Sequence, residues 1–260
     1  MHYLDFLQEV HRRLNPPTYL EIGVRNGDSL ALAQGAAIGV DPRPRLRVEL
    51  SDRTRIYRQT SDAFFARDRP LRHFDRRAVA MSFIDGLHHA EFALRDFINV
   101  ERLSRWTSVA IFDDIFPLEA AWAARERETR EWTGDVFKVM GVLERHRPDL
   151  ALLKVDTEPT GLLLVLGLDR ESTALADRYA EIAAQIAQPD PQLVPAAVLK
   201  RRGAVDPQAV LESPVWRVLR KARGEPVERE QGVRNLRRLL RRDFGVLSGL
   251  PLRARLGRPV

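Results

Sequence analysis

Three carboxylates and one histidine follow two apolar segments that predict neighbouring strands. Asp85 ends the segment Ala-Val-Ala-Met-Ser-Phe-Ile-Asp, and His88 comes three residues later. Asp113 and Asp114 end the segment Ser-Val-Ala-Ile-Phe-Asp-Asp. We expect these acids to converge, because the carboxyl ends of parallel strands lie along one edge of a sheet. Their joint ionisation is costly without a counter-ion, and oxygen ligands favour Mg²⁺, with Mn²⁺ or Ca²⁺ also suitable.

A histidine beside a bound cation can act as a general base. The cation lowers the pKa of a coordinated hydroxyl, and His88 is close enough in sequence to Asp85 to accept the proton. Structural roles stay open for the same residues. Asp85 could cap the helix that follows it, and Asp113 or Asp114 could cap a helix near Leu118. His88 could be a structural hydrogen-bonding group.

A glycine turn precedes these acids in the chain. Glu21 lies in an apolar run over 18–22, and Gly23 and Gly27 follow it. Such a turn lets the backbone approach a ligand, and a helix predicted over 28–35 would direct its N-terminus at an anionic group. Asp41 ends the next predicted strand, where a carboxylate can accept hydrogen bonds from both ribose hydroxyls. The acid before the turn suits a cationic group such as an ammonium.

The alternation of strands and helices predicts the fold class. Apolar segments separated by a helical pattern over 89–103 indicate an α/β doubly wound, mostly parallel sheet. Two later apolar segments, joined only by Glu158-Pro159-Thr160, must form an antiparallel hairpin. We therefore predict a Rossmann-like sheet of seven strands with an antiparallel last strand, in a domain over 1–190. A basic, mostly helical extension is predicted over 191–260.

The glycine turn and the acid after it resemble the first two motifs of class I S-adenosylmethionine-dependent methyltransferases. The matching residues are Glu-Ile-Gly-Val-Arg-Asn-Gly at 21–27 and Gly-Val-Asp at 39–41. A nicotinamide site is disfavoured, because Arg25 replaces the middle glycine of the G-x-G-x-x-G pattern. The resemblance assigns to the cofactor Glu21, Gly23 and Gly27 for the methionine part, Asp41 for the ribose, and Ser61 and Asp62 for the adenine.

The acids extend the resemblance to one branch of that family. Asp-Gly-x-His at 85–88, Arg-Asp-Phe at 95–97 and Asp-Asp at 113–114 are similar to macrolide-sugar and other antibiotic O-methyltransferases. This similarity implies that Asp85, Asp113 and Asp114 bind Mg²⁺ and that His88 is the base. Gly134-Asp135 is expected in a loop near the substrate, or Asp135 at a helix N-cap. The chain departs from the branch at Asp113, where the sugar enzymes carry Glu. It departs again in the predicted loop over 104–107, which lacks the usual Pro-Gly-Gly.

Composition excludes several classes of site. The chain has 260 residues and no cysteine, so disulfides, thiol nucleophiles and thiolate metal sites are excluded. Its longest clean apolar run, 161–168, is too short to span a bilayer. The first residues predict an amphipathic helix and not a secretory signal. We expect a soluble, cytoplasmic protein.

Charge is concentrated in the predicted extension. From Lys200 to the end the chain has 16 basic and 6 acidic residues, whereas the first 199 residues have 26 basic and 30 acidic residues. We expect helices that pack on the domain or on a second copy of the chain. The alternative is a basic surface for an anionic membrane, nucleic acid or carrier. The sequence contains no known nucleic-acid motif, which disfavours RNA as the substrate.

The expected function is S-adenosylmethionine-dependent, metal-assisted O-methylation of a hydroxyl on a small molecule or sugar. A second hypothesis is a cofactor-binding regulatory or scaffold protein without turnover, which uses its basic tail for interactions. A nicotinamide oxidoreductase is the third.

Overall fold

The computed structural model describes residues 1–75 and 77–245. Eight strands form one sheet: β1 (Thr18–Ile22), β2 (Ala36–Val40), β3 (Thr54–Tyr57), β4 (Val79–Ile84), β5 (Ser104–Phe112), β6 (Ala151–Val155), β7 (Leu162–Leu166) and β8 (Ala204–Val205). The α-helices of these ranges are α1 (Tyr3–Leu14), α2 (Ser61–Phe65), α3 (Ala90–Arg102), α4 (Lys138–His146), α5 (Tyr179–Ile186), α6 (Ala196–Leu199), α7 (Pro207–Glu212), α8 (Val215–Ala222) and α9 (Arg229–Phe244).

The sheet confirms the predicted fold class. Its order is β3-β2-β1-β4-β5-β7-β6-β8, and β7 runs antiparallel to both of its neighbours while every other pairing is parallel. The hairpin of β6 and β7 is the one predicted from its short connection. The sheet has eight strands and not seven, because residues 204–205 of the extension add β8 beside β6.

Strand register brings the predicted site residues to one edge of the sheet. Ile22 of β1 lies opposite Val40 of β2 and Ile84 of β4, and Ile84 lies opposite Phe112 of β5. The residues that follow these four positions therefore lie side by side at the carboxyl edge: Gly23, Asp41, Asp85 and Asp113.

Helices cover both faces of the sheet. Helices α3, α4 and α5 pack on one face around a core that includes Phe97, Phe112 and Leu143. On the other face, α1 packs against α7 and α8, and α8 and α9 contact β5. Trp216 of α8 and Leu240 of α9 are buried in that second core. The extension up to residue 245 thus packs on the sheet, while 246–260 lie outside the described residues.

Two local predictions are wrong. The predicted helix over 28–35 is only a single 3₁₀ turn, Leu30–Leu32. The chain is already extended at Ala33, and Gly35 abuts the backbone of Pro16 and Pro17 just before β2 begins at Ala36. The predicted loop over 104–107 is instead the beginning of β5.

The described helices include none that is long and apolar enough to cross a bilayer.

Candidate functional site

Gly23 forms the turn at the end of β1. Its φ is +89°, and a Cβ atom placed there would lie 1.8 Å from the carbonyl oxygen of Asp85. Its N–H donates to the carbonyl of Val40 at 2.9 Å. Only glycine fits this position, because a side chain would both strain the backbone and separate β1 from β4. The absence of a side chain at position 23 therefore lets the end of β1 lie directly against the residue that follows β4.

Asp41 holds this turn in place from the neighbouring strand. Its Oδ2 accepts hydrogen bonds from the N–H groups of Val24 and Arg25, at 3.0 and 2.9 Å. Its Oδ1 accepts from the N–H of Arg43 at 2.6 Å. A carboxylate oxygen accepts about two hydrogen bonds, so Oδ2 is fully used and Oδ1 keeps acceptor capacity for one ligand hydroxyl.

A cavity of about 270 Å³, here named the edge cavity, opens beside Gly23 and Asp41. Its lining includes residues from the ends of β1 and β2, from α2, from the turn after β4 and from α3: Gly23, Asp41, Ser61, Asp62, Leu87 and Asp96. The edge cavity therefore brings together four of the six residues predicted to contact the cofactor.

Glu21 and Gly27 lie outside the edge cavity. The Glu21 carboxyl is completely buried and accepts hydrogen bonds from the hydroxyls of Tyr19, at 2.7 Å, and Ser29, at 2.9 Å. Burial raises its pKa to about 8, although these two hydrogen bonds oppose the shift. Gly27 packs under the side chains of Leu46 and Val48. In this arrangement Glu21 and Gly27 stabilise the turn without lining the edge cavity. Their direct contact with a cofactor stays a prediction.

Asp85, His88 and Asp114 form a compact group, here named the acid–histidine cluster. One ligand atom of each residue lies within 4.8 Å of the others. His88 Nδ1 is 2.8 Å from Asp114 Oδ2, and His88 Nε2 is 3.3 Å from Asp85 Oδ1. The cluster adjoins the edge cavity, because Gly86 and Leu87, which line the cavity, lie between Asp85 and His88 in the chain.

Charge and burial perturb the titration of the cluster. Burial raises the pKa of Asp85 above its ordinary value, although His88 opposes this shift. Burial lowers the pKa of His88, but hydrogen bonds from the ring to Asp114 and Asp85 outweigh burial and hold that pKa well above its usual range. The cluster therefore places strongly interacting negative and positive groups in one partly buried site, as functional sites often do.

Asp113 does not belong to this cluster, although it follows β5 beside Asp85. Its Oδ1 accepts the N–H of Asp114 at 2.8 Å and the hydroxyl of Thr160 at 3.3 Å. Burial raises its pKa well above the ordinary value, and the charges of Asp114 and Asp85 raise it further. Of the three acids predicted to bind a metal, Asp85 and Asp114 belong to the acid–histidine cluster, and His88 is its third member.

Trp132 positions the ring of His88. The two rings stack at 4.8 Å between centroids and 5° between planes, and the Trp132 carbonyl lies 3.2 Å from His88 Nδ1. Gly134 makes this approach possible, since a Cβ there would lie 1.8 Å from the His88 carbonyl oxygen. The sequence gives no signal for the contact of Trp132 with His88, because the two residues are 44 positions apart.

Asp135 closes the segment that carries Trp132. It is fully buried, and its Oδ1 accepts the N–H of Ala90 at 2.7 Å, which caps the start of α3. Its Oδ2 accepts from Arg125 and Lys138, each at 2.8 Å. The predicted N-cap role is wrong, because the N-cap residues are His89 for α3 and Phe137 for α4. Asp135 instead accepts the first N–H of α3 from a distant part of the chain, and its contact with a substrate stays a prediction. Arg125 was not predicted, because nothing in the local sequence identifies its partners.

Asp96 was also missed as a site residue. It lies on the buried face of α3 together with Ala93, Phe97 and Val100, and its side chain is 3% exposed. Burial raises its pKa to about 7, which the hydroxyl of Ser61 opposes. An acid on the apolar face of a predicted helix was the available signal.

Comparisons with known proteins bear on the same part of the chain. Residues 20–115 match a protein-family profile described as a methyltransferase domain. No curated protein sequence matches the chain. These 96 residues build most of the edge cavity and contain the whole acid–histidine cluster.

Solved structures with a similar fold include three methyltransferases or cofactor-bound proteins. The O-methyltransferase TomG from Streptomyces achromogenes, in complex with SAM, is 18% identical over 63% of this chain and 78% of TomG, with a TM-score of 0.48. Cofactor-bound Rv0187 from MTB is 17% identical over 65% of this chain and 80% of Rv0187, with a TM-score of 0.49. The MycE methyltransferase from the mycinamycin pathway, in complex with Mg and SAH, is 16% identical over 65% of this chain and 49% of MycE, with a TM-score of 0.41. The match of residues 20–115 to a methyltransferase domain is the finding that bears on function.

Proposed function

We propose that this protein is an S-adenosylmethionine-dependent methyltransferase that methylates a hydroxyl of a small molecule or sugar with the help of a divalent cation. One observation carries the proposal: the edge cavity lies directly beside the acid–histidine cluster. A nucleoside cofactor in the first would be next to a metal and a base in the second. The match of residues 20–115 to a methyltransferase domain supports this assignment.

The chain would hold the cofactor through its backbone turn and one carboxylate. Gly23 lines the edge cavity, and Asp41 Oδ1, which accepts one hydrogen bond from the protein, has a lone pair left for a ribose hydroxyl. S-adenosylmethionine supplies an activated methyl group on a sulfonium. Orientation of that group toward the acid–histidine cluster would provide much of the rate enhancement.

The residues present fit a divalent cation. Asp85 and Asp114 offer carboxylate oxygens within 4.8 Å of each other and of a ring nitrogen of His88. Hard cations such as Mg²⁺ and Mn²⁺ prefer such oxygens. A bound cation would lower the pKa of the acceptor hydroxyl and fix its position. This proposal moves the ligand set from three acids to Asp85 and Asp114, with His88 beside them.

His88 is suited to act as the base through one particular nitrogen. Its Nδ1 contacts two acceptors, the Asp114 carboxylate and the Trp132 carbonyl, so Nδ1 carries a proton. Nε2 faces Asp85, and together the two carboxylates favour the protonated ring. A cation bound by Asp85 and Asp114 would compete for these carboxylates and lower the pKa of His88, so that Nε2 could then accept a proton. Stacking on Trp132 holds the ring in that orientation.

The acceptor would enter under the segment 120–135. Trp132 from this segment forms one side of the acid–histidine cluster, and Arg125 ties the segment to α3 through Glu91 and to Asp135. A hydroxyl-bearing sugar or small molecule is favoured by the motif similarity to macrolide-sugar and antibiotic O-methyltransferases.

The proposal is tested by binding and turnover together. We expect S-adenosylhomocysteine to bind in calorimetry and methyl transfer from labelled S-adenosylmethionine to a hydroxylated acceptor to require Mg²⁺ or Mn²⁺. Asp85→Asn should abolish transfer while S-adenosylhomocysteine still binds. Cofactor binding without transfer to any acceptor, unaffected by metal, would support the regulatory alternative. Lack of cofactor binding would overturn the proposal.

A further inference from the structure

A further cavity, here named the arginine cavity, lies at the amino edge of the sheet, opposite the edge cavity. Its volume is about 170 Å³. It is bounded by the residue before β1, by the beginnings of β4 and β5 and by one residue of the extension, and its lining includes Pro17, Arg77, Val79, Arg105, Thr107 and Arg223. Three guanidinium groups thus meet in a small space, and no carboxylate of the described residues lines it.

An irregularity of β5 brings Arg105 to the arginine cavity. From Ser104 to Val109, β5 runs five positions beside a span of β4 that takes only two. The strand therefore bulges, and a bulge redirects the side chains that it carries. The Ser108 hydroxyl fixes the bulge, because it donates to the Val79 carbonyl at 2.6 Å and accepts the N–H of Arg105 at 3.0 Å.

Arg223 reaches the arginine cavity from the end of α8. Its guanidinium donates to two main-chain carbonyls at the end of α1, those of Asn15 at 3.1 Å and Leu14 at 3.5 Å. Its Nε is buried and has no acceptor among residues 1–75 and 77–245. Burial lowers the pKa of Arg223 below its ordinary value. The protein thus holds a partly buried cation without an acidic partner in the described chain, which is costly.

The nearby acids do not neutralise these arginines. Four acids line an adjoining cavity together with Arg105 and Arg223, and in the described structure none of them forms an ion pair with either guanidinium. Three of the four pair with other cations: Asp169 with Arg229 at 3.4 Å, Glu171 with Arg170 at 3.2 Å and Glu225 with Lys221 at 3.7 Å. On the other side of the arginine cavity, the Nε of Arg77 donates to the Phe74 carbonyl at 3.1 Å.

An oxyanion is the ligand that this arrangement suits. A guanidinium presents paired N–H donors that match the oxygens of a phosphate group. The apolar walls formed by Pro17 and Val79 strengthen such charge interactions, and the Thr107 hydroxyl lines the same space as a further donor. The volume equals that of roughly five or six water molecules at about 30 Å³ each, which is enough for the five heavy atoms of phosphate.

We propose that the arginine cavity binds a phosphate group through Arg77 and Arg105 of the domain and Arg223 of the extension. The bound group links the extension to the amino edge of the sheet and neutralises the three guanidinium groups. This site is separate from the proposed methyl-transfer site, which lies at the carboxyl edge, and it does not depend on the proposed function.

Thermal melts in inorganic phosphate, with chloride at equal ionic strength as the reference, test the site. A ligand that binds only the folded state stabilises it, so 20 mM phosphate should raise the melting temperature of wild type by about 3 °C or more. Arg105→Gln and Arg223→Gln should each weaken binding about tenfold or more and reduce this rise to about half or less. Arg105→Gln is the cleaner variant, because the Arg105 side chain has no ion pair to lose within the described chain.

Arg238→Gln is the matched control. Arg238 is an exposed arginine of α9, and its replacement makes the same change in net charge. The full rise should persist in this variant, which separates binding at the site from the general stabilising effect of phosphate on proteins. A larger rise with glycerol 3-phosphate than with inorganic phosphate would identify a phosphorylated small molecule as the ligand. An equal or smaller rise would identify free phosphate.

Three results would overturn the inference: no rise in wild type, an undiminished rise in both Arg105→Gln and Arg223→Gln, or an equal reduction in Arg238→Gln. Binding of S-adenosylhomocysteine by Arg105→Gln is expected to equal that of wild type, because the two sites lie at opposite edges of the sheet. Failure of the phosphate site would therefore leave the proposed function standing.

Discussion

The turn at Gly23 provides a sharp test of how the sheet edge is built. Replacing Gly23 by alanine puts a Cβ 1.8 Å from the carbonyl oxygen of Asp85, at a residue whose φ is +89°. The strand pair is closed at this point, because the Asp85 N–H donates to the Ile22 carbonyl at 2.8 Å. Backbone strain of about 1–2 kcal/mol and overpacking of about 1–3 kcal/mol predict a total loss of about 2–5 kcal/mol in the free energy of unfolding.

Gly141 supplies a control with the same substitution. It lies inside α4, and a Cβ there meets nothing within 4 Å. Alanine at this position should raise the free energy of unfolding by about 0.5–1 kcal/mol, since glycine weakens a helix interior. One chemical change is thus predicted to have opposite signs at two sites.

Urea denaturation followed by circular dichroism measures both variants against wild type. Gly23→Ala should unfold at lower urea and lose S-adenosylhomocysteine binding, whereas Gly141→Ala should unfold at higher urea and bind normally. A Gly23→Ala protein as stable as wild type would refute the close approach of β1 and β4 at this turn.

Three further predictions concern the buried acids. The pKa of Glu21 is raised from 4.5 to about 8, so its contribution to stability is complete below 4.5 and is lost as pH rises through 8. The free energy of unfolding of wild type, measured relative to Glu21→Gln, should therefore fall by up to about 1.4 kcal/mol per pH unit between pH 4.5 and about 8. Parallel pH profiles for the two proteins would show that Glu21 does not titrate in this range. Asp135→Asn should cost about 3 kcal/mol by urea denaturation and speed proteolysis within 120–135, because the fully buried Asp135 carboxylate is the shared partner of Arg125 and Lys138. A change below about 0.5 kcal/mol would contradict the ion-pair assignment. Mn²⁺ binding, measured by electron paramagnetic resonance, should be lost in Asp114→Asn and retained in Asp113→Asn. Equal loss in both variants would instead support the ligand set predicted from sequence, which includes Asp113.

Sequence patterns predicted the fold because the relevant signals are local. Apolar strands, the helix over α3 and the short connection between β6 and β7 each follow from periodicity or chain length. The extra strand β8 was missed, because two residues give no periodicity. The helix predicted over 28–35 is wrong because the chain becomes extended at Ala33 and Gly35 packs on Pro16 and Pro17, a contact that the local helical pattern does not show.

The site was predictable in position but not in detail. Strand ends place Gly23, Asp41 and Asp85 at one edge, which the sequence could show. The cluster contains Asp114 and His88 but not Asp113, because the side chains of Asp113 and Asp114 leave the end of β5 in different directions. No sequence pattern encodes those directions. Contacts across long sequence distances, such as His88 with Trp132, were equally beyond local reasoning.

The central claim is that a nucleoside and a divalent cation bind side by side at this edge of the sheet. A crystal structure with S-adenosylhomocysteine and Mn²⁺, with data collected for manganese anomalous scattering, tests it most directly. We expect a ribose at Asp41 and an anomalous peak bounded by Asp85 and Asp114. A nucleoside elsewhere, or manganese away from these two carboxylates, would contradict it.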